Sequence, residues 1–406
     1  MNEPERASWS RYLALDAHRQ YLVAGGVDAH QTIVLKPVRV SFEEWPKWAS
    51  ANLHPTDALV LEATTNTWEV YDQVLPLVGR VVVAHPALVK LIASARVKTD
   101  PRDVLHLARL LAANLIPQVW VPPPAVRQLR ALVNHRRHLV KQSTVTRNRL
   151  HSVLQRHNLP APPGDPFSAK HRAWWHALEL PGVEKLCLLQ DLATLDHLTQ
   201  QVGEVEAELM GWSAAEPWHQ QVVFLVQLPG ISTLSALTIL AAIGEIERFE
   251  TPKKLVGYAG LGAGVHASGQ THRGGHITKQ GRKDLRWVMV QAAWAAVGHY
   301  PFWEERYQKL ARRIGWARAI VAIARKLLVV VWHVLTRRVA DRQAEPKRVA
   351  SKLKYWAWKV GARRRAGLTP SQFIQQHLDQ LGLPADVHDP NRGAPTPAKE
   401  AQAVPG

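Results

Sequence analysis

Through the first hundred residues the apolar positions fall in short runs, and the period of each run predicts an element. Tyr12 to Asp16, Gln20 to Val27 and Thr32 to Val40 are rich in Val, Leu and Ile, with Gly25-Gly26 and Asp28-Ala29-His30 as turn or bulge material. Three such runs in succession predict an antiparallel meander. Phe42 to Leu53, Trp68 to Leu77 and Pro86 to Ser94 carry helical spacing, and two further strands, Ala58 to Glu62 and Arg80 to Ala84, lie between them. Strands alternating with helices imply an α/β unit with a partly parallel sheet. A longer helix follows. Pro101 suits its first turn, where the missing N–H costs nothing, and Val104, Leu105, Leu107, Ala108, Leu110 and Leu111 continue the helical period toward Asn114.

Beyond Pro122-Pro123-Pro124 the pattern is helical. Val126, Leu129, Val133, Val140, Leu150 and Leu154 follow a 3,4 repeat until Pro160 to Gly164 breaks it; Leu188, Leu192, Leu195, Val202 and Leu209 form a second repeat. The two arms predict a coiled-coil helical hairpin, formed within one chain or between subunits. Gln227 to Ala236, with its Leu228-Pro229-Gly230-Ile231 turn, reads as a helix-hairpin-helix, and further helices are expected over Lys283–Val297, Trp303–Arg313 and Ala317–Arg338. After Asp341 the chain turns polar and basic, and beyond Leu383 its Pro- and Ala-rich composition predicts disorder. The expected class is therefore α/β plus all-α, in four segments: 10–122, 123–215, 216–340 and 341–406.

Charge narrows the partner. With 51 Lys and Arg against 33 Asp and Glu, the net charge is +18 and the isoelectric point about 10.2, so a polyanion is expected. No acid occurs from Val104 to Gly164, while Arg109, Arg127, Arg130, Arg136, Arg137, Lys141, Arg147, Arg149 and Arg156 all fall there. A solvated helix face normally mixes signs, so this run predicts phosphate contacts. The second arm is acidic, with Glu184, Asp191, Asp196, Glu204, Glu206 and Glu208. No uncharged apolar run of about 18 residues and no apolar leader are present, which predicts a cytoplasmic, nucleoid-associated protein with no membrane partner. The single cysteine, Cys187, excludes an intramolecular disulfide and is expected in the core.

Four acids stand out from this background. Asp16 ends the first strand and Glu62 the fourth, while Asp100 and Asp103 are one turn apart at the start of the helix after the fifth. Each alone has an ordinary explanation, helix capping for the last pair. Strand ends are where open sheets build sites, and four acids gathered there would hold two divalent ions, Mg²⁺ or Mn²⁺. A second unusual stretch is Gly257 to Arg286, with eight glycines among Arg273, Lys279, Arg282, Lys283 and Arg286. Glycine at this density lets backbone approach a phosphate. Ser268 is the only serine in it, and its hydroxyl is a candidate nucleophile, a phosphate contact or a turn residue. Gly230, in the helix-hairpin-helix turn, is a candidate to hold a DNA phosphate on backbone N–H groups.

The order of these motifs resembles a known family. The strand and helix contexts of the acids are similar to the ribonuclease H-like fold of the Holliday-junction resolvase RuvC. Leu15-Asp16, Leu61-Glu62-Ala63-Thr64, Lys98-Thr99-Asp100 with Asp103, Leu228-Pro229-Gly230-Ile231, Lys254 to Leu261, Ser268-Gly269 and Gly275 to Arg286 together resemble the DEDD insertion-sequence transposases, also called bridge-RNA-guided recombinases. The resemblance spans roughly residues 11 to 340. It implies a RuvC-like catalytic domain with Asp16, Glu62, Asp100 and Asp103 as a metal-binding tetrad, and Ser268 as a nucleophile that links covalently to DNA. It also implies donor and target DNA and a noncoding bridge RNA as partners, in a dimer or tetramer. Arg273, Lys279, Arg282 and Arg286 would assist the serine, and Arg127, Arg130, Arg136, Arg137, Lys141, Arg147 and Arg149 would bind nucleic acid. The alternative is a metal-dependent nuclease or junction resolvase that uses water.

Overall fold

A computed structural model describes residues 9–92, 99–268 and 271–383, with the backbone alone over 265–268 and 271–275. Lys98, Gly269 and the Pro- and Ala-rich end therefore lie outside the described residues. The chain forms two compact units, one ending at Pro122 and the other beginning at Pro123.

In the first unit, β1 (Arg11–Ala17), β2 (Tyr21–Val27) and β3 (Ile33–Ser41) form the meander, and β4 (Asp57–Glu62) and β5 (Arg80–Ala84) add parallel to β1, giving the order β3-β2-β1-β4-β5. The helices are α1 (Trp45–Asn52), α2 (Thr67–Val74), α3 (Pro86–Ile92) and α4 (Asp100–Ala112). Because side chains alternate along a strand, the sheet has two separate cores. Leu13, Leu15, Leu59 and Leu61 face one, with Trp45 and Ala49 of α1 and Val70 and Val74 of α2. Ala14, Ala58 and Val60 face the other, with Val89 of α3 and Val104, Leu107 and Ala108 of α4. Gly25 belongs to the second face, where a Cβ would come within 2.9 Å of Val104, so its missing side chain lets α4 lie close on β2.

Register is fixed at the far end of the sheet. The fully buried Asp57 accepts hydrogen bonds from Arg11 at 2.9 and 2.6 Å and from the His54 N–H at 2.8 Å. Its charge can stay buried only while those donors hold it, so Arg11 is locked opposite Asp57 and every later β1–β4 pair follows, through Leu15 opposite Leu61.

The second unit is built on α5 (Pro124–Arg156) and α7 (Gly182–Ser213), joined through α6 (Arg172–Ala177). These two long helices pack along each other. The seam departs from the expected one: Leu139 and Thr146 are buried and Val140 is 37% exposed, because the helix period drifts from a strict heptad. Cys187 is exposed rather than in the core, the adjacent Leu188 taking the buried position.

The rest comprises α8 (His219–Val226), α9 (Thr233–Ile243), α10 (Pro252–Tyr258), the hairpin β6 (Ala263–Ser268) and β7 (Thr271–Ile277), α11 (Lys283–His299), α12 (Pro301–Ile314), α13 (Trp316–Arg337), α14 (Pro346–Val360) and α15 (Pro370–Gln380). Among the described helices α13 alone is long and apolar enough to cross a membrane; here it packs against α10, α11 and α12, with Ile323, Leu327, Leu328 and Val331 buried.

The polar, basic segment after Asp341 is folded through α15. Val349, Leu353, Trp356 and Val360 repeat at i, i+4, i+7 and i+11 and form one buried stripe inside a basic sequence. The Trp356 indole donates to Ser213 Oγ at 2.7 Å and meets Phe373 edge-on, which ties α14 and α15 to the end of α7.

Candidate active site

The strand alternation that builds the two cores also aims the acids. Asp16 lies two residues beyond Ala14, and Glu62 two beyond Val60, so both continue the face covered by α4. Asp100 and Asp103 are in the first turn of α4, after Thr99, whose side chain makes no capping bond. Asp16, Glu62 and Asp103 line one cleft of about 350 Å³, together with Lys90, Arg102, His106 and Arg109. Asp100 approaches from beside Asp16, with His18 between them. The His18 Nε2 lies 3.3 Å from Asp16 Oδ2 and 3.3 Å from Asp100 Oδ2. The Tyr21 hydroxyl donates to Asp100 at 3.1 Å, its ring stacks on His18 at 4.4 Å between centroids, and the Arg39 guanidinium sits 3.6 Å over that ring.

Burial raises the Asp16 carboxyl above the usual carboxylate range; His18 opposes this, and the Asp100 and Asp103 carboxylates add to it. A cation among these acids would offset the repulsion part of that shift. Asp16, His18 and Asp100 each offer one ligand atom, all within 4.8 Å of one another. The sequence reading missed His18. Its signal was present, since Asp16-Ala17-His18 leaving a strand puts acid and imidazole on one side, but a histidine at a strand end also reads as turn material.

The basic residues divide. Arg136 pairs with Glu206 at 2.5 Å, Arg149 with Asp191 at 2.5 Å and Arg156 with Glu184 at 2.7 Å, all across the α5–α7 seam. The charge run therefore finds much of its counter-charge on the acidic arm. Arg130 is turned inward and donates to the carbonyls of Ala241 and Ala242 at 2.6 and 3.2 Å, closing the end of α9. Burial, with Arg282 and Arg248 nearby, pushes its guanidinium down to about 10. Arg127 is half-buried in the first turn of α5, whereas Arg137, Lys141 and Arg147 are exposed, with Arg147 5.3 Å over the Phe167 ring.

The helix-hairpin-helix turn is likewise built inward. Gly230 has φ +71°, and a Cβ there would lie 2.1 Å from the Ala292 carbonyl of α11. From α14, Lys352 Nζ donates to the carbonyls of Val226, Leu228 and Ile231 at 2.9, 2.5 and 3.1 Å. The turn is held by protein on these two sides, and packing and backbone conformation both call for glycine at 230.

In the glycine-rich segment, Ser268 is the last residue of β6, paired with Thr271 of β7; the side chains of Ser268 and Arg273 lie outside the described residues. The phrases on either side of the hairpin interlock. Gly260 (φ +66°) accepts from Lys279 N at 3.2 Å, Tyr258 O accepts from Arg282 N at 2.9 Å, and a Cβ on Gly281 (φ +115°) would meet Tyr258 O at 2.2 Å. Arg282 grips Asp284 with two donors, and Arg286 donates to Ala259 O at 2.9 Å. These two arginines, expected to assist chemistry, hold the base of the hairpin. Lys279 and Lys283 are exposed.

Comparison with known proteins bears on both units. A family model described as a transposase, of the IS110 DEDD type, matches residues 13–159, and one described as the transposase IS116/IS110/IS902 family matches residues 223–308. The Sinorhizobium fredii protein y4qE, which carries a transposase designation, is 27% identical over 75% of each chain. The transposase for insertion sequence element IS1111A of Coxiella burnetii is 28% identical, over 60% of this chain and 68% of its own. The pilin gene-inverting protein of Moraxella bovis is 26% identical, over 72% of this chain and 85% of its own. The chain belongs to the IS110 family of DEDD transposases, and is a DNA transposase.

Proposed function

We propose that this transposase breaks and rejoins DNA with two centres on one chain: Asp16, Glu62, Asp100 and Asp103 on a ribonuclease H-like, RuvC-like first unit, and Ser268 on the second. The observation that carries the reading is the convergence of Asp16, Glu62 and Asp103 in one cleft with Asp100 beside Asp16, from three places in the sequence. The sheet order β3-β2-β1-β4-β5, with acids on adjacent strand ends, supports the fold assignment. The residues fit divalent metal: their oxygens are hard donors, and the raised Asp16 carboxyl is the electrostatic cost that a cation would relieve. Mg²⁺ or Mn²⁺, as two ions held by the four acids, would neutralise phosphate charge and polarise the scissile ester.

In the reaction we infer, the Ser268 hydroxyl attacks phosphorus, a phosphoserine ester forms, and the displaced deoxyribose oxygen leaves protonated. Reversal with a second strand end rejoins DNA and restores the serine. The family resemblance and the position of Ser268 at the end of β6 support this assignment. A noncoding bridge RNA would choose donor and target DNA by base pairing, with the exposed Arg137, Lys141 and Arg147 on nucleic-acid backbone, in a dimer or tetramer. The Moraxella bovis relative is by its name a gene-inverting protein, which agrees with recombination rather than simple cleavage.

One observation favours a second reading. Arg282 and Arg286 are engaged by Asp284 and Ala259, which leaves fewer cations to activate a serine and favours water as nucleophile in a RuvC-like nuclease or junction resolvase. The test is recombination by the full chain with its flanking RNA and with donor and target DNA. Asp16→Ala and Ser268→Ala should each abolish it while RNA binding persists. Recombination by Ser268→Ala would transfer the reaction to water, and recombination by Asp16→Ala would remove the acids from it.

A further inference from the structure

The proposed acid site has a neighbour that the four-carboxylate description omits. His18 Nε2 is buried between Asp16 Oδ2 and Asp100 Oδ2 at 3.3 Å from each, yet has hydrogen-bond geometry with neither. A histidine recruited only as an ion-pair partner would point an N–H at one of them. The spacing falls within another range: donors about 2.1–2.2 Å from one ion lie roughly 3.0–3.6 Å apart when adjacent, from octahedral to tetrahedral geometry. The ring is also held in orientation. Tyr21 stacks on it at 4.4 Å while its hydroxyl binds Asp100 at 3.1 Å, so one side chain fixes both the imidazole and a carboxylate. Ligating groups steadied by a neighbour of this kind are the usual construction of a metal site.

We propose that His18 is a fifth metal ligand, binding through Nε2 to the ion held by Asp16 and Asp100. This rests on the metal reading of the tetrad and refines it. An imidazole suits Mn²⁺ and later first-row metals, whereas Mg²⁺ takes oxygen ligands. The centre is therefore asymmetric. The Asp16–His18–Asp100 side prefers Mn²⁺, and the cleft side at Glu62 and Asp103 takes Mg²⁺ or Mn²⁺ alike. Ligation through Nε2 requires the imidazole tautomer that carries its proton on Nδ1.

The test is pulsed electron paramagnetic resonance of Mn²⁺ on the full-length protein, with no DNA and no turnover. Wild-type protein should show ¹⁴N modulation from a ligated imidazole, converted to the ¹⁵N pattern in protein grown with ¹⁵N-histidine, a control that needs no substitution. His18→Asn should lose the signal and weaken Mn²⁺ by at least about tenfold relative to Mg²⁺ in calorimetric titration. Mn²⁺ bound without nitrogen coupling would overturn the inference and leave the tetrad intact. Coupling that persists in His18→Asn would overturn it in favour of another histidine. No Mn²⁺ binding by the wild type would overturn both the inference and the metal reading beneath it.

Discussion

Two stretches of this chain gather charge of one sign, and their surroundings differ. On α5 the basic run lies along an acidic helix: Arg136, Arg149 and Arg156 each meet a carboxylate of α7, and Arg130 closes the end of α9. At the strand ends, Asp16 and Asp100 have no Lys or Arg ion pair among the described residues; they share a histidine, and burial first, with repulsion from Asp100 and Asp103 after it, makes Asp16 harder to ionise. Charge compensated within the fold is structure. Charge brought together without that compensation, where burial makes repulsion costly, implies a ligand from outside.

The comparison can be broken by substitution on either side. The largest effect is expected at the acids: Asp16→Asn should lower strand exchange by at least about a thousandfold, as loss of a metal-centre ligand does, with the thermal midpoint unchanged or raised because a repulsive charge is gone. A lowered midpoint, measured by calorimetry, would make Asp16 structural. Next is Arg11→Met, which strands the buried Asp57 and should destabilise the first unit by about 3–5 kcal/mol in denaturant unfolding. An effect below about 1 kcal/mol would mean that packing, not this pair, sets the β1–β4 register.

Acidification should then act on the second unit. His377 is buried, its Nε2 2.9 Å from that of His219, and burial pushes it down to about 4. A histidine that must stay neutral in the folded state contributes fully above its unfolded pKa, near 6.5, and loses that contribution as pH falls toward 4. The docking of α15 should weaken across that window, seen as a change in Trp356 fluorescence that His377→Phe abolishes. A flat signal from pH 7 to 4 would contradict this.

The smallest effects separate the arginines of α5. Arg137→Ala, Lys141→Ala and Arg147→Ala should each reduce the salt dependence of nucleic-acid binding by about one unit of slope and leave stability unchanged. Arg149→Ala, whose partner Asp191 is on the neighbouring helix, should do the reverse and cost under about 1 kcal/mol of stability. Equal salt slopes for all four variants would mean that pairing across α5 and α7 does not decide which cations meet phosphate.

Much of this was legible in the sequence. A period of two placed Asp16 and Glu62 at strand ends, and the Pro101 helix start placed Asp100 and Asp103 together. Alternation does not reveal which face a helix covers; Gly25, where β2 must admit Val104, carries that information only once α4 is known to lie there. The α5 run was read as phosphate-contacting throughout because sequence gives the sign of each arm but not the phase at which 136 meets 206 or 149 meets 191. Gly230, Gly281 and Arg286 have packing contacts that sequence could not separate from a chemical role, since close backbone approach to protein and to phosphate require the same residue types. The buried stripe of α14 was hidden by the eight basic residues around it between Pro346 and Leu378.

The central claim, that the acid cluster and Ser268 serve one reaction, is tested most directly by trapping. Wild-type protein is incubated with end-labelled element DNA, flanking RNA and Mg²⁺ or Mn²⁺, denatured, and the labelled protein band mapped by mass spectrometry. The account predicts a DNA-linked peptide modified at Ser268, absent when the metal is chelated and absent in Asp16→Asn. Metal-dependent cleavage with no protein-linked DNA would contradict it and leave a water-driven nuclease.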